Sequence, residues 1–555
     1  MKVKIYLTII LVLLPVSVRD LVAQSAYIPP EKPKLVIGIV IEQFRYDYID
    51  KFWDIFSDNG FRRLINEGTF CKNASYDFFF TQSAPAHATL STGTDPGKHG
   101  IVADNWYLPL RDEIIYCTGD SKVDPVGGSF EHGLQSPANL LPSTFGDELK
   151  LATYKRARVF GIGMKNHAAI LSAGHAADCA YWYDDMTGTW MTSTHYIDSL
   201  PSWVSDFNDM RLPDTYLGNI WEPLLPLTEY THCLPDTNSY ESGISSRSVF
   251  PYNLKKISSS SVLGILNKKT DYSILPLVPF GNTFTNDFAI RLIDEEKLGE
   301  DDITDFLSIS YTVTDNIGHL YGPSSMEMAD AIVRFDRDLG HLLDYIIQKI
   351  GKKNVLIYLT SAHGIAEIPE VLNSNKIPAG HFKQNQALTL LKSYLNVLYG
   401  QGSWVKGYYE KQVYLNHVLI EDASLPLNEV QGKAARFLSQ YTGVSAAVAA
   451  NVIENNDFTR GYYRKMRNSF DQTRSGDIIL NLEPAWVETG KYVTNHNSAY
   501  DYDSHVPLIW YGWTINRSSI TREVNMNEVA ATLSSLCKIQ VPNACTGNPM
   551  IELFR

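Results

Sequence analysis

The chain has 555 residues and a formal net charge of −13, from 48 Lys and Arg against 61 Asp and Glu. That balance repels a phosphate backbone, so the composition carries no footprint for binding a nucleic-acid duplex. With 44% hydrophobic and 20% charged residues it is neither disordered nor collagen-like, and at about 100 to 200 residues per domain it has room for two to four units or one large domain with insertions.

Met1-Lys2-Val3-Lys4 precedes an apolar run from Ile5 to Val18, followed by small residues between Ala23 and Ala26. This is the pattern of a secretory signal peptide over residues 1–24, which would leave residues 25–555 as the mature chain. The run is broken by Pro15 and falls short of the ~20 residues that a spanning helix needs. A protein of the periplasm or the cell exterior is expected, with no stable membrane insertion. Cys71, Cys117, Cys179, Cys233, Cys537 and Cys545 contain no CxxC pair, and in an oxidising compartment they suit disulfides better than a metal site. Sequential pairing is the expectation: Cys71 with Cys117, Cys179 with Cys233, Cys537 with Cys545.

Lys34–Ile41 is a continuous apolar, β-branched run, which predicts a strand buried on both faces of a parallel sheet. It ends at Glu42-Gln43. Val159–Met164 reads as a second such strand and delivers Lys165 and His167. Phe306–Tyr311 precedes Thr314-Asp315, and Asn354–Thr360 precedes Ser361-Ala362-His363. Ligands of open α/β sheets bind beyond the carboxyl ends of the strands, so these ends should converge on one site. Between the last two strands, the spacing of Met328, Ile332, Phe335, Leu339, Leu342 and Ile346 predicts an amphipathic crossover helix over Ser325–Ile350. Two stretches, about 176–301 and 377–490, read as insertions; the second contains a helical run at Glu429–Ser439. Tyr181-Trp182-Tyr183 could stack on a base or sugar, although aromatic residues in a strand are more often core.

Asp315-Asn-Ile-Gly-His319 sets a carboxylate and an imidazole four residues apart after a strand, so that both can reach one cation, and oxygen with nitrogen ligands suits zinc. His363 and His496 stand on other loops. Ser83 directly precedes a predicted helix with Pro85 in its first turn, where the helix dipole and a bound metal would favour its ionised hydroxyl. The plain alternative is that Ser83 only caps that helix.

These segments, together with Gly60-Phe61-Arg62-Arg63-Leu64, Ser91-Thr92-Gly93, His99-Gly100-Ile101, Tyr500-Asp501-Tyr502-Asp503 and His505-Val506-Pro507-Leu508, resemble the alkaline phosphatase superfamily over about residues 34–550. The closest branches are the type I phosphodiesterases/nucleotide pyrophosphatases and the monomeric bacterial phosphate-monoester hydrolases. The resemblance implies an α/β fold, a mostly parallel sheet flanked by helices with inserted cap segments, and a monomer. It also implies two zinc ions and hydrolysis of a small phosphorylated substrate through a phosphoseryl intermediate on Ser83. The first zinc would be held by Asp315, His319 and His496. The second falls on Glu42, Ala362, His363 and Ser83, where the family has Asp at the first two positions. The family's phosphate contacts fall on Asp104 or its neighbour Asn105, and on Lys165 and His167, which replaces an Arg and lacks its fork of donors. Whether the preferred ester is a monoester or a diester stays open. The same departures leave a second reading, a catalytically impaired member that binds phosphorylated ligands or envelope partners. A sulfatase is disfavoured because Ser83-Ala-Pro-Ala lacks the Arg of that branch's motif.

Overall fold

The computed structural model describes residues 30–260 and 270–554; the expected signal peptide lies outside them. The main strands are β1 (Leu35–Ile41), β2 (Thr69–Ser75), β3 (Val159–Gly163), β4 (Cys179–Asp184), β5 (Thr189–Ser193), β6 (Asp305–Tyr311), β7 (Val355–Ser361) and β8 (His505–Gly512). They lie side by side in the order β2-β8-β7-β1-β6-β3-β4-β5, and three short pieces complete a sheet of eleven strands among the described residues. The five strands from β7 to β4 run parallel. β8 joins β7, and β5 joins β4, in antiparallel fashion. The four strands expected from sequence are therefore neighbours at the centre of the sheet.

β1 shows why the run of apolar residues was needed. Leu35, Ile37, Ile39 and Ile41 enter one apolar cluster and Val36 and Val40 the other, so the period of two feeds both faces and leaves none for water. Gly38 is the one interruption, and a Cβ there would stand 2.3 Å from the Tyr358 hydroxyl of β7.

The helices that matter below are α1 (Ser83–Thr92), α2 (Asn166–Ala173), α3 (Val313–Tyr321) and α4 (Met326–Lys349). α4 is the expected crossover between β6 and β7. The Ser325 hydroxyl caps its start by accepting from the Met328 N–H at 3.1 Å, and its apolar stripe from Met328 to Ile346 is buried.

Residues 179–193 add β4 and β5 to the main sheet. Within them Tyr181, Trp182 and Tyr183 are buried in the core, and Trp182 and Tyr183 also border a cavity that Lys165 and Asn166 line. The remainder of that stretch packs aromatic rings, with Trp190 stacked on Phe288 at 4.3 Å. Residues 405–482 form a separate antiparallel sheet of four strands. It has its own apolar cluster around Leu391, Val413, Val430 and Leu480 and carries the helix Leu427–Leu438.

The expected disulfides are not formed: all six cysteines are free thiols. Cys71 is buried with Leu508 and Val524, whereas Cys117 belongs to a different cluster with Trp106 and Tyr107. The Cys179 thiol instead donates to the Thr192 hydroxyl at 3.2 Å. Burial pushes the Cys179 and Cys537 thiols up to about 12, which keeps them protonated.

Glu327, in the first turn of α4, is wholly buried, and the Tyr252 hydroxyl donates to it at 2.5 Å. Burial pushes its carboxyl up to about 8, and burial followed by the charge of Glu327 pushes Glu241 up to about 9. Both folded values lie above the unfolded one. The stability they confer is complete below the ordinary carboxylate range and is lost as pH rises through 8 to 9. The melting temperature should fall between pH 6 and pH 9.5, and Glu327→Gln should flatten that fall; an equally steep fall in the variant would contradict this assignment.

Candidate active site and metal centre

Strand register builds the site. Ile41 pairs with Tyr311 on one side and Ser361 on the other, and Ser310 pairs with Gly163. The residues that follow these ends, Glu42, Asp315, His363 and Lys165, therefore leave the sheet along one edge. α1 places Ser83 over that edge as its first helical residue, after the N-cap Gln82, and the loop at Thr494–Ser498 brings His496.

Ser83 is wholly buried, so its hydroxyl must find partners within the protein. It donates to Glu42 Oε2 at 2.5 Å, lies 3.3 Å from His363 Nε2, and receives the Lys165 ammonium at 3.2 Å. The same ammonium reaches Asp315 Oδ2 at 2.7 Å. Ser83 thus meets a base and a cation, which goes beyond what capping requires.

Three imidazoles surround the other oxygen of Asp315. His319 Nε2 lies 3.3 Å, His496 Nε2 3.6 Å and His363 Nε2 3.9 Å from Oδ1. Each ring places Nδ1 on a backbone carbonyl: Thr494 for His319 at 3.1 Å, Thr81 for His496 at 2.7 Å and Gly364 for His363 at 2.9 Å. A carbonyl can only accept, so Nδ1 of each ring carries a proton; the neutral His496 therefore aims its Nε2 lone pair at the carboxylate, whereas for His363 burial is outweighed by the hydrogen bond to Glu42 and the imidazole is raised. Nitrogen lone pairs facing a carboxylate oxygen describe a cation site, and the ligand atoms of Asp315, His363 and His496 all lie within 4.8 Å of one another. Neighbouring ligands on a tetrahedral zinc are about 3.3 Å apart, close to the separations of His319 and His496 from Asp315. The donor atoms that converge are those of Asp315, His363 and His496, a set that fits a metal, while His319 adds a contact to Asp315 at 3.3 Å.

The expected second position is poorer. The Ala362 methyl lies in an apolar cluster. Ser361 turns away from the site, its hydroxyl accepting from the Phe44 N–H at 2.9 Å and donating to the His363 carbonyl at 2.7 Å. What remains is Glu42 Oε2, His363 Nε2 and Ser83 Oγ, with Lys165 already beside Ser83.

The charges follow the geometry. Burial works against the Glu42 carboxylate, but Lys165 and then the hydrogen bonds from His363 and His87 outweigh it and hold Glu42 well below the usual range. For Asp315 burial is likewise overcome, first by Lys165 and then by His319 and His496. Burial, reinforced by His363, keeps His496 neutral well below the usual imidazole range.

The expected phosphate contacts are divided. Lys165 is in place. Asp104 is too, but its Oδ1 accepts the Ala84 N–H at 3.0 Å, so it covers a donor in the first turn of α1 that an anion would use. Asn105 begins a hairpin strand and lines an adjoining cavity. His167 is buried and neutral, its imidazole pushed down to about 4 by burial. The Tyr116 hydroxyl donates to Asn166 Oδ1 at 2.6 Å and so accepts from His167 Nδ1 at 2.8 Å. His167 Nε2 is left as an acceptor, and a neutral acceptor cannot serve a phosphoryl oxygen as the family's Arg would.

Sequence reasoning missed four groups. His87 Nε2 meets Glu42 Oε1 at 2.7 Å and its Nδ1 meets the Ser172 hydroxyl at 2.9 Å. Ser310 donates to Glu42 Oε1 at 3.2 Å, and Gln43 Nε2 donates to Asp315 Oδ1 at 2.8 Å. Only His87 left a signal: it stands four residues after Ser83 and so shares its helix face.

A buried serine, a carboxylate and a set of imidazoles at the carboxyl edge of a parallel sheet define a hydrolase-type site. The description "Type I phosphodiesterase / nucleotide pyrophosphatase" matches residues 36–505, and the chain belongs to that family within the alkaline phosphatase superfamily. It is 37% identical over 528 residues to a protein named calcium-transporting ATPase from Myroides odoratus, covering 94% of this chain and 95% of the other. It is 35% identical to alkaline phosphatase PhoV of Synechococcus elongatus, with 94% and 93% covered. Alkaline phosphatase PafA of Elizabethkingia meningoseptica is 33% identical over 528 residues, with 94% and 95% covered. The crystal structure of PafA superposes with a TM-score of 0.90 over 94% of this chain and 99% of its own.

With one converging donor set, Asp315, His363 and His496, the purified protein should retain about one zinc per chain after dialysis. Asp315→Asn should lose it, and Ala362→Asp should raise the count towards two. Two tightly held ions in the wild type, measured by elemental analysis, would show that Glu42 compensates for Ala362.

Proposed function

We propose that the protein is an exported, zinc-dependent phosphoric ester hydrolase that acts on small phosphorylated substrates through a phosphoseryl intermediate on Ser83. The family and the alkaline phosphatases among its relatives support ester hydrolysis at phosphorus. The observation that carries the mechanism is the Ser83 hydroxyl held between Glu42 Oε2 at 2.5 Å and the Lys165 ammonium at 3.2 Å. Zinc at Asp315, His363 and His496 would supply a Lewis acid for the phosphoryl group.

Ser83 Oγ, oriented by Glu42 Oε2, attacks phosphorus and its proton is released to water. An Oγ–P bond forms while the ester P–O bond breaks, and the departing alkoxide takes a proton from water. Lys165 stabilises the charge that grows on Oγ. Water then attacks the phosphoseryl phosphorus, the Oγ–P bond breaks, and Ser83 Oγ takes a proton from the attacking water. His87 and Ser310 fix the other Glu42 oxygen, so the carboxylate faces Ser83 in one orientation. The altered second position and the missing Arg favour a diester relative to a dianionic monoester.

A second reading, a binding protein without turnover, is favoured by Asp104, which covers the Ala84 N–H. Hydrolysis of an activated aryl phosphate and of the matching diester decides between the two readings. Ser83→Ala should lower turnover of the wild type by roughly a thousandfold or more. If the wild type turns over neither ester with zinc present, the hydrolase reading fails. Asp104→Asn should raise kcat/KM for the monoester by roughly tenfold, because it removes a repelling charge while keeping an acceptor for the Ala84 N–H; the diester should gain less.

A further inference from the structure

A cavity of about 600 Å3 lies between the second inserted segment and the candidate site. Its walls adjoin the reactive groups on three sides. Tyr492 stacks on the metal-site residue His319 at 4.6 Å between ring centres. Asn105 follows Asp104. Glu410 Oε2 accepts from Gln82, the residue before Ser83, at 2.5 Å and from Asn497, the residue after His496, at 3.2 Å. The cavity therefore opens between the nucleophile helix and the His319–His496 pair.

In-line displacement at phosphorus puts the leaving oxygen opposite the attacking one. Ser83 Oγ is held on the Glu42 and His363 side, so the leaving group departs over His319 and His496, towards Tyr492.

The chemistry of the walls restricts what can be accommodated. Tyr408, Tyr409 and Tyr492 supply ring faces, Glu410 and Glu488 supply carboxyl groups, and no Lys, Arg or His is among the lining residues. The Tyr408 hydroxyl donates to Glu488 Oε1 at 2.6 Å, which fixes that carboxylate in the wall. The Tyr492 ring already carries His319 and has the exposed Lys491 ammonium 5.7 Å from its centre. A leaving group with further phosphates would meet the carboxyl groups of Glu410 and Glu488, with no Lys or Arg among the lining residues. One with an ammonium would gain from Glu488 and from the Tyr408 and Tyr409 faces.

We infer that this cavity is the leaving-group subsite and that it selects phosphate esters of amino alcohols. The inference rests on the hydrolase reading above, and phenyl phosphate, whose leaving group is uncharged, serves as the reference for that reading. The decisive pair is phosphocholine and its uncharged isostere 3,3-dimethylbutyl phosphate, which differ in charge but hardly in shape. Phosphocholine should have the higher kcat/KM by about tenfold or more, as expected of a cation held against aromatic faces and carboxylates. Glu488→Gln should bring the ratio within the pair towards one. ADP should be hydrolysed more slowly than AMP. Equal rates for the pair, or a preference that survives Glu488→Gln, would overturn the subsite while leaving the hydrolase standing. If neither phenyl phosphate nor the matching diester is hydrolysed, the hydrolase reading fails. Calorimetric binding of the same pair to the wild type and to Glu488→Gln still decides the cavity, since equal affinities would refute it.

Discussion

The reactive edge depends on one constraint, an ionised carboxylate held where no water reaches it. Glu42 has no exposed surface, and a charge in that setting is stable only when paired and fully hydrogen-bonded. Its partners come from every element around it: Ser83 and His87 from α1, Ser310 from β6, His363 from the end of β7 and the charge of Lys165 from the end of β3. The Thr314 hydroxyl donates to its backbone carbonyl. The carboxylate and the strand register reinforce each other. The parallel pairing of β1 with β6 and β7 brings the partners within reach, and the need to satisfy Glu42 holds α1 down on the sheet edge.

The same carboxylate explains how the site can differ from its family pattern and remain ordered. A Glu at position 42 is one methylene longer than the family's Asp. Its two oxygens divide their work, Oε1 to His87 and Ser310 and Oε2 to Ser83. Beside Ser83 the positive charge comes from Lys165.

How much of this was legible in the sequence depends on how local each signal is. The central strands were readable because a strand buried on both faces must be apolar at every position, as Leu35–Ile41 is. The crossover helix was readable from its period. Asp315 and His319 were readable because both ligands sit on one turn of α3. The links that complete the site are not local: His87 to Ser172 spans 85 residues and Gln43 to Asp315 spans 272, and neither leaves a spacing to detect. The cysteines show the opposite error. Six thiols in one chain suggested pairing, but the buried ones are placed by the apolar clusters they pack into, and residues such as Cys71 and Cys117 belong to different clusters.

The segment at 377–490 is bound into the site through the neighbours of Ser83 and His496. Glu410 holds Gln82 beside Ser83 and Asn497 beside His496. The Lys411 ammonium donates to the Asn497 carbonyl at 2.5 Å, and the Tyr500 hydroxyl donates to the Leu482 carbonyl at 2.8 Å. Glu410 is itself pushed up to about 8 by burial and then by Asp104 and Glu488. A cap fastened at both the nucleophile and the metal loop cannot lift away without loosening Ser83 and His496 together. The hydrogen bonds that fasten this segment therefore also hold the neighbours of Ser83 and His496, and a change in the segment will be felt at the serine.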